Sequence, residues 1–531
     1  MPIKGKGTIN EKILYSYDLP TVVFTNMKQF SNRPFLTDGL TGARRTFGET
    51  LKDALSIAVW LREMGIRENS YVVFMADTTI ESFTFEIAVW LAGGSVAPIN
   101  WNLSIEEVCT LVNISTASMI FCGGENLHVL EEVRKKLNRP FQVVTDAEHE
   151  TYTTYSSLLS KDGSAFKPEP YDPDSHIVNL LFTSGTTGVP KGAMISSRAC
   201  LTTCYLGFRD VSSTFLTSPL YWITNPSSFT NSLLLGTELI FPRTKYIPGT
   251  KQPDITHVLR TIQKYKPAKW VTGPSMLMDL TRVPDLKNYD LSSFKHISVG
   301  GSAVLPSQKK LICELLFNGR NIVQDRLGCT EGGVFCEQLT GTYPDYDDKK
   351  AASIGPLPPG VEVKIVDVET GKELGPNEVG ELFVRTPAIM RGYINKDMPQ
   401  RYTTDDWYRM GDFCMYDEDG WLYYKSRAKE MIKYRGNQMA PIDIEKVALL
   451  HPDVLEVCVI GKPHIVDGEH PVAFVVKKPN STLTEDALAA FVNEQLSDEK
   501  HLRGGVIFKK ELPKSSVGKP LRNQLLKEVQ C

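Results

Sequence analysis

The stretch LLFTSGTTGVPKGAM, Leu180 to Met194, sets three glycines, a proline, a lysine and four hydroxyl side chains between apolar flanks. A Walker phosphate loop runs Gly, four residues, then Gly-Lys-Ser/Thr. Here Gly185 is followed by Gly188 and then Pro190-Lys191-Gly192, with Ala193 where the hydroxyl would stand, so this is not one. The physical means are nevertheless those of phosphate recognition. Gly185, Gly188 and Gly192 permit positive φ, which lets successive backbone N–H groups converge on one anion. Thr183, Ser184, Thr186 and Thr187 add hydroxyl donors, and Lys191 adds a point charge. In isolation the stretch reads equally as a polar surface loop that uses glycines for its turns. A ligand rich in anionic oxygens is the functional alternative.

The chain is 531 residues long, too long for one hydrophobic core, so two or more domains are expected. Hydrophobic residues make up 42% and charged residues 23%, an ordinary globular balance. A net charge of -3 offers no broad basic field, which argues against nucleic acid or an anionic membrane as partner. The opening MPIKGKGTINEK lacks the apolar centre of a secretory signal, and apolar runs such as IAVWLAGGSVAP are far short of a membrane span. The end, LLKEVQC, does not match a Ser-Lys-Leu peroxisomal address. The expectation is a cytoplasmic monomer whose ten cysteines are reduced. There is no Cys-x-x-Cys pair and no neighbouring His pair at ligand spacing. Cys200 and Cys204 lie one helical turn apart and read as small buried apolar residues rather than a metal clasp.

Through the first three-quarters, short β-branched runs alternate with helical patterns. SYVVFMA precedes FTFEIAVWLAGG, and HISVGG precedes AVLPSQKKLICELL, a rhythm of βα units and mostly parallel sheets. Near Val361 the pattern changes: VEVKIVDV and GELFVR read as an antiparallel pair. After Lys425 a basic, polar segment leads into the strands EVCVIGK and PVAFVVKK and one helix. Thr484 can cap that helix, Glu485 and Asp486 suit its N-terminal end, and Leu488, Phe491, Val492 and Leu496 form its apolar face.

The complete string Thr-Ser-Gly-Thr-Thr-Gly-x-Pro-Lys-Gly resembles the signature of the adenylate-forming superfamily: acyl-CoA synthetases, adenylation domains and insect luciferases. Further blocks follow in family order. QDRLGCTEGG resembles the segment that would place Thr330 and Glu331 at the α-phosphate and the magnesium ion. GELFVRTPAIMRGY resembles another block, and DDWYRMGDFC carries Asp412 where the ribose hydroxyls are held. Arg427 matches the hinge arginine, Lys433 to Gln438 the small-domain loop that includes Gly436, and SSVGKPLR supplies Lys519 at the catalytic lysine's place. The resemblance further implies that Gly301, Ser302, Asp325, Arg326 and Leu327 contact the adenylate. Without the resemblance, Asp412 would equally cap a turn, Glu331 start a helix and Lys519 be a surface lysine. The implied fold is α/β. A large N-terminal domain (1–424) of mixed and parallel sheets with helices carries a barrel-like β subdomain; a hinge (425–428) leads to a small mobile α+β C-terminal domain (429–531).

The implied chemistry is attack of a carboxylate on the α-phosphorus of ATP, expelling pyrophosphate and leaving an acyl-adenylate. A carboxylate is already ionised at pH 7, its pKa being near 4, so no general base is needed; neutralising charge and aligning the displacement are. Three positions depart from the family pattern: Tyr221-Trp222 stand where an aromatic-His pair is common, Leu327 replaces an aromatic, and Ser426 replaces the hinge aspartate. The pocket candidates are Tyr221, Trp222, Gly300, Gly301 and Val334. No aspartate is present in that segment to pair with an α-ammonium group, so an aromatic or fatty acid is expected rather than an amino acid. The second step is transfer to CoA or, alternatively, oxidation by O2 with light emission; a non-catalytic nucleotide-binding relative is the third reading.

Overall fold

The structure, a computed structural model, describes residues 2–4, 17–137, 139–183, 190–205, 212–243, 254–301, 304, 306–337, 350, 352–395, 405–427, 430–435, 437–514 and 520–529. Two large sheets organise the first two-thirds of the chain. The first has seven strands, parallel except where Lys191–Ser196 runs antiparallel to Ile177–Thr183 at its edge. The second has eight, with a parallel centre that includes Lys269–Thr272, His296–Val299 and Val323–Cys329, and antiparallel strands at both ends.

The βα rhythm of the sequence is realised. Tyr71–Met75 is a fully buried strand, and Ile80–Leu91 is a helix begun by a capping box between Thr79 and Ser82. That helix is almost entirely buried because its neighbours cover it on all sides. Phe83 and Trp90 pack on Phe229, with ring centres 4.3 and 5.7 Å away, and the Trp90 indole N–H donates to the Val178 carbonyl at 3.0 Å. These contacts fix the helix Thr224–Leu235, which begins two residues after Trp222.

Glu362–Val366 and Gly380–Arg385 pair antiparallel as their alternation predicts. They belong to a five-stranded antiparallel sheet that runs from Ile3–Lys4 through Tyr408–Tyr416 to Leu422–Arg427. The last hundred residues build a separate sheet around the long hairpin Val454–His464 and Gly468–Lys477, with Gly505–Lys509 added in parallel. The helix Glu485–Asn493 lies on it, capped by Thr484, with Leu488 and Val492 buried and Phe491 and Leu496 partly buried. Among the described residues no helix is long and apolar enough to cross a membrane.

Candidate active site

Thr183 and Lys191 face each other across the antiparallel pair Ile177–Thr183 and Lys191–Ser196, so the glycine-rich stretch joins the ends of two adjacent strands. Its residues Ser184, Gly185, Thr186, Thr187 and Gly188 lie outside the described residues, as do Ser302, Gly436 and Lys519. Lys191 is only 5% exposed, and its ammonium stands 5.1 Å from the centre of the Tyr393 ring. Gly192 corrects one expectation. It does not adopt positive φ but belongs to the strand, opposite Phe182, and a side chain there would meet Ile394 at 2.7 Å and Leu180 at 3.0 Å. It is glycine for closeness, not for turning.

Glu331 does not start a helix. It stands in the turn between Val323–Cys329 and Gly333–Glu337, one residue after Thr330. Its carboxylate accepts hydrogen bonds from the Tyr393 hydroxyl at 2.9 Å and the Thr183 hydroxyl at 3.3 Å, and its carbonyl accepts from Met390 N–H at 2.8 Å. The carboxylate is thereby fixed at the end of the strand that leads into the glycine-rich stretch. Asn395 holds the other end: its amide oxygen accepts from Gly192 N–H at 3.1 Å and its amide nitrogen donates to the Pro190 carbonyl at 3.3 Å.

A cleft of about 250 Å³ runs between the large region and the last sheet. Gly301, with φ +90, Asp325, Arg326, Leu327, Asp412 and Arg427 line one side. Asp412 is 1% exposed and directly opposite Arg427 in the sheet, with the guanidinium Nε 2.8 Å from the carboxylate. Burial is the strongest influence on Arg427 and opposes its charge, but Asp412, Tyr424, Cys329 and Glu430 together outweigh it and the guanidinium is held more basic than usual. Asp325 is pushed up by burial, against the pull of Lys309 at 3.3 Å. Lys514, Pro520 and Arg522 line the other side, and Lys514 and Pro520 pair across an isolated bridge that flanks the segment containing Lys519. Ion pairs tie the two sides together: Glu456 accepts from Arg282 of the large region at 2.6 Å and from Lys514 at 2.8 Å.

A family model described as AMP-binding enzyme matches residues 23–394, and one described as AMP-binding enzyme C-terminal domain matches residues 443–519. This chain belongs to the AMP-binding enzyme family. Its similarity to luciferin 4-monooxygenase of Photuris pensylvanica is 28% identity, covering 97% of this chain and 94% of that protein. Its similarity to a 4-coumarate-CoA ligase of Narcissus pseudonarcissus is also 28%, covering 96% and 93%. Among solved structures, an anthranilate CoA ligase in complex with anthranoyl-AMP superposes with a TM-score of 0.86 at 23% identity, covering 97% of this chain and 98% of that one. The luciferase-like enzyme of the nonluminescent mealworm Zophobas morio superposes with a TM-score of 0.73 at 26%, covering 81% and 100%.

Not every residue that the sequence assigned to this AMP-binding enzyme's site lines the cleft. Tyr221 and Trp222 meet edge to face, 6.4 Å apart, and do not line the cleft. Val334 is buried against Gly328 in the hairpin, and Gly300 lies against the Arg326 backbone. Ser426 does line the cleft, as a strand residue paired with Phe413. Lys433 is exposed, donates its N–H to Glu469 at 2.8 Å and does not line the cleft. Sequence reasoning missed Tyr393, Asn395 and Lys269. The first signal was available in the block ending MRGY, which the fold pairs with the strand Lys191–Ser196 through Ala193 and Tyr393. It also missed a histidine pair. The hairpin between Val454–His464 and Gly468–Lys477 stacks His464 on His470, and Asp467 beneath them is held down to about 2 by Arg435 and then His470.

Lys269 is 4% exposed in a central strand, and burial pushes its pKa down from 10.5 to about 8 against the opposing pull of Glu337. The unfolded chain therefore binds one more proton than the folded chain between about pH 8 and 10.5, so this lysine makes stability rise with pH across that window. Denaturant unfolding of wild type and Lys269→Met is expected to show the difference moving in favour of wild type from pH 8 to 10. A constant difference would contradict the burial argument.

Proposed function

We propose that this enzyme activates a carboxylic acid lacking an α-amine, with ATP and Mg2+, to an acyl-adenylate and then passes the acyl group to CoA. The observation that carries this reading is the cleft in which Asp412, Arg427 and Asp325 face the segment flanking Lys519. The acid's carboxylate needs no base, so these residues bind and align rather than abstract protons. Asp412, held by Arg427, would accept from the ribose hydroxyls. Lys519 would meet the attacking carboxylate and the α-phosphate together, and Thr183, Lys191 and the glycine-rich stretch would receive the departing pyrophosphate. Glu331 and the Thr183 hydroxyl present hard oxygen donors 3.3 Å apart, which fit Mg2+. When bound there, the ion would neutralise phosphate charge.

The domain limits proposed with it are 1–424 for the large domain, a hinge at 425–428 that contains Ser426, and 429–531 for the lid. Lys433, on a face away from the cleft while Lys514 and Pro520 line it, supports a rotation of the lid that exchanges Lys519 for the Lys433–Gln438 loop in the second step. One chain is proposed as the acting unit, and the free thiols of nine described cysteines fit a reducing cytoplasm. The second reading, oxidation of a luciferin adenylate by O2 with light, is favoured by full-length similarity to luciferin 4-monooxygenase at the same identity as to CoA ligases. Incubation with ATP, Mg2+ and a panel of aromatic and fatty acids tests both. Acid-dependent pyrophosphate release is expected, and thiol consumption on adding CoA supports the ligase. Photons without thiol consumption would favour the luciferase.

A further inference from the structure

The segment HIVDGEH, His464 to His470, spaces a histidine, an aspartate and a histidine evenly across the tip of the hairpin Val454–His464 and Gly468–Lys477. In an antiparallel pair a side chain can reach the residue opposite and its diagonal neighbours on the same face. His464 stands opposite Gly468, which offers no side chain. Gly468 has φ +86, and a Cβ there would stand 2.8 Å from the Lys433 carbonyl oxygen, so the tip packs closely on the neighbouring strand. The His464 ring leans over this gap onto the diagonal His470, with ring centres 3.9 Å apart. The turn brings Asp467 up between them. Among the described residues, the donor atoms of these three side chains all lie within 4.8 Å of one another.

Both histidines direct a nitrogen at one oxygen, Asp467 Oδ2: His470 Nε2 at 2.8 Å and His464 Nδ1 at 3.3 Å. The other oxygen, Oδ1, is taken by Arg435 Nε at 2.6 Å, which fixes the orientation of the carboxylate. His464 Nδ1 accepts from the Asp467 N–H at 3.2 Å, so its lone pair lies on that nitrogen, the tautomer a metal ligand needs. Nδ1 and Oδ2 are then two electron-pair donors facing each other without a proton between them. An ion bonded to both at about 2.0–2.1 Å would hold them about 2.9–3.4 Å apart, from octahedral to tetrahedral angles. The separations of 2.8 and 3.3 Å are already on that scale.

We propose that His464, Asp467 and His470 bind one Zn2+, with water completing its shell. Two imidazoles and a carboxylate suit zinc, whereas Mg2+ keeps to oxygen ligands and would not fill the site. The ion takes the place of the proton shared by His470 and Asp467. The exposed His464 ring turns out of the stack to aim Nδ1 at the ion, and the Asp467 N–H it gives up turns to water at a tip where Ile465 and Val466 are exposed. None of the three residues lines the cleft, so the site is separate from the adenylation machinery and stands without that reading. Arg435, whose N–H also donates to the Asp467 carbonyl at 2.8 Å, ties the occupied tip to the Lys433–Gln438 loop.

The test titrates Zn2+ alone into the full chain by calorimetry, after EDTA treatment and exchange into buffer with excess Mg2+. Wild type is expected to bind one Zn2+ whose affinity falls by about 100-fold or more in His464→Ala and in His470→Ala, since losing even an outer partner of a ligand costs about 10–100-fold. His128→Ala, which removes an exposed histidine from the helix Leu127–Lys136, is expected to bind as wild type does. Co2+ gives a second readout: its visible absorption should intensify with wild type and not with His464→Ala. Should His470→Ala, whose ring lies 5.8 Å from that of Tyr434, fail to fold, His464→Ala at the exposed tip still reads the affinity. Wild-type binding no tighter than that of His464→Ala, or a tight site that survives both substitutions, would overturn the proposal and leave a hydrogen-bonded turn.

Discussion

Lys519→Ala is expected to slow acid-dependent pyrophosphate release by about 10²–10³, the usual consequence of losing one preorganised donor aimed at developing charge. The argument starts from the reaction. Carboxylate and α-phosphate are both anionic, and they repel each other until the displacement begins. A cation placed between them relieves that repulsion most when charge is shared across the forming bond, so its loss falls on kcat more than on KM. Lys514 and Pro520, on either side of the segment, line the cleft. The Arg282–Glu456–Lys514 ion pairs hold that side against the large region. ATP binding by the variant should remain close to wild type, because Asp412 and Arg427 are untouched. An unchanged kcat, or a loss confined to ATP affinity, would remove Lys519 from the chemistry.

The second large effect concerns Glu331. Glu331→Gln keeps an acceptor for the hydroxyls of Tyr393 and Thr183 but deletes the negative charge. The turn between the two strands should survive, so the substitution tests charge alone. A metal contributes several kcal/mol of charge stabilisation in phosphoryl chemistry. The expected result is a fall of about 10² or more in the adenylation rate, together with a higher magnesium concentration for half-maximal activity. A rate and a magnesium dependence matching wild type would show that another group holds the ion.

Several elements could be read directly from the chain because their causes are local. The alternation in VEVKIVDV, the cap at Thr484 and the helical spacing of Leu488 and Val492 each act within a few residues, and the structure has them as expected. The site was legible only as far as its motifs reach. Asp412 opposite Arg427 required no more than a neighbouring strand, but Tyr393 meets Glu331 from 62 positions away and Asn395 meets Pro190 from 205. Gly192 looked like a turn glycine because the residues before it are turn-formers; the close approach of Ile394 that actually requires it comes from a distant segment. Lys269 was invisible for a similar reason. In a four-residue strand one lysine reads as an edge residue, and only the parallel neighbours on both sides bury it.

The central claim is that the oxygen of a carboxylic acid attacks the α-phosphorus. Acid carrying 18O in its carboxyl group, incubated with the enzyme, ATP and Mg2+ and then with a thiol or water to release the nucleotide, tests it in one mass spectrum. AMP bearing one 18O atom, with pyrophosphate unlabelled, is the predicted result. ADP and phosphate as products, or AMP whose phosphate carries no label from the acid, would contradict it.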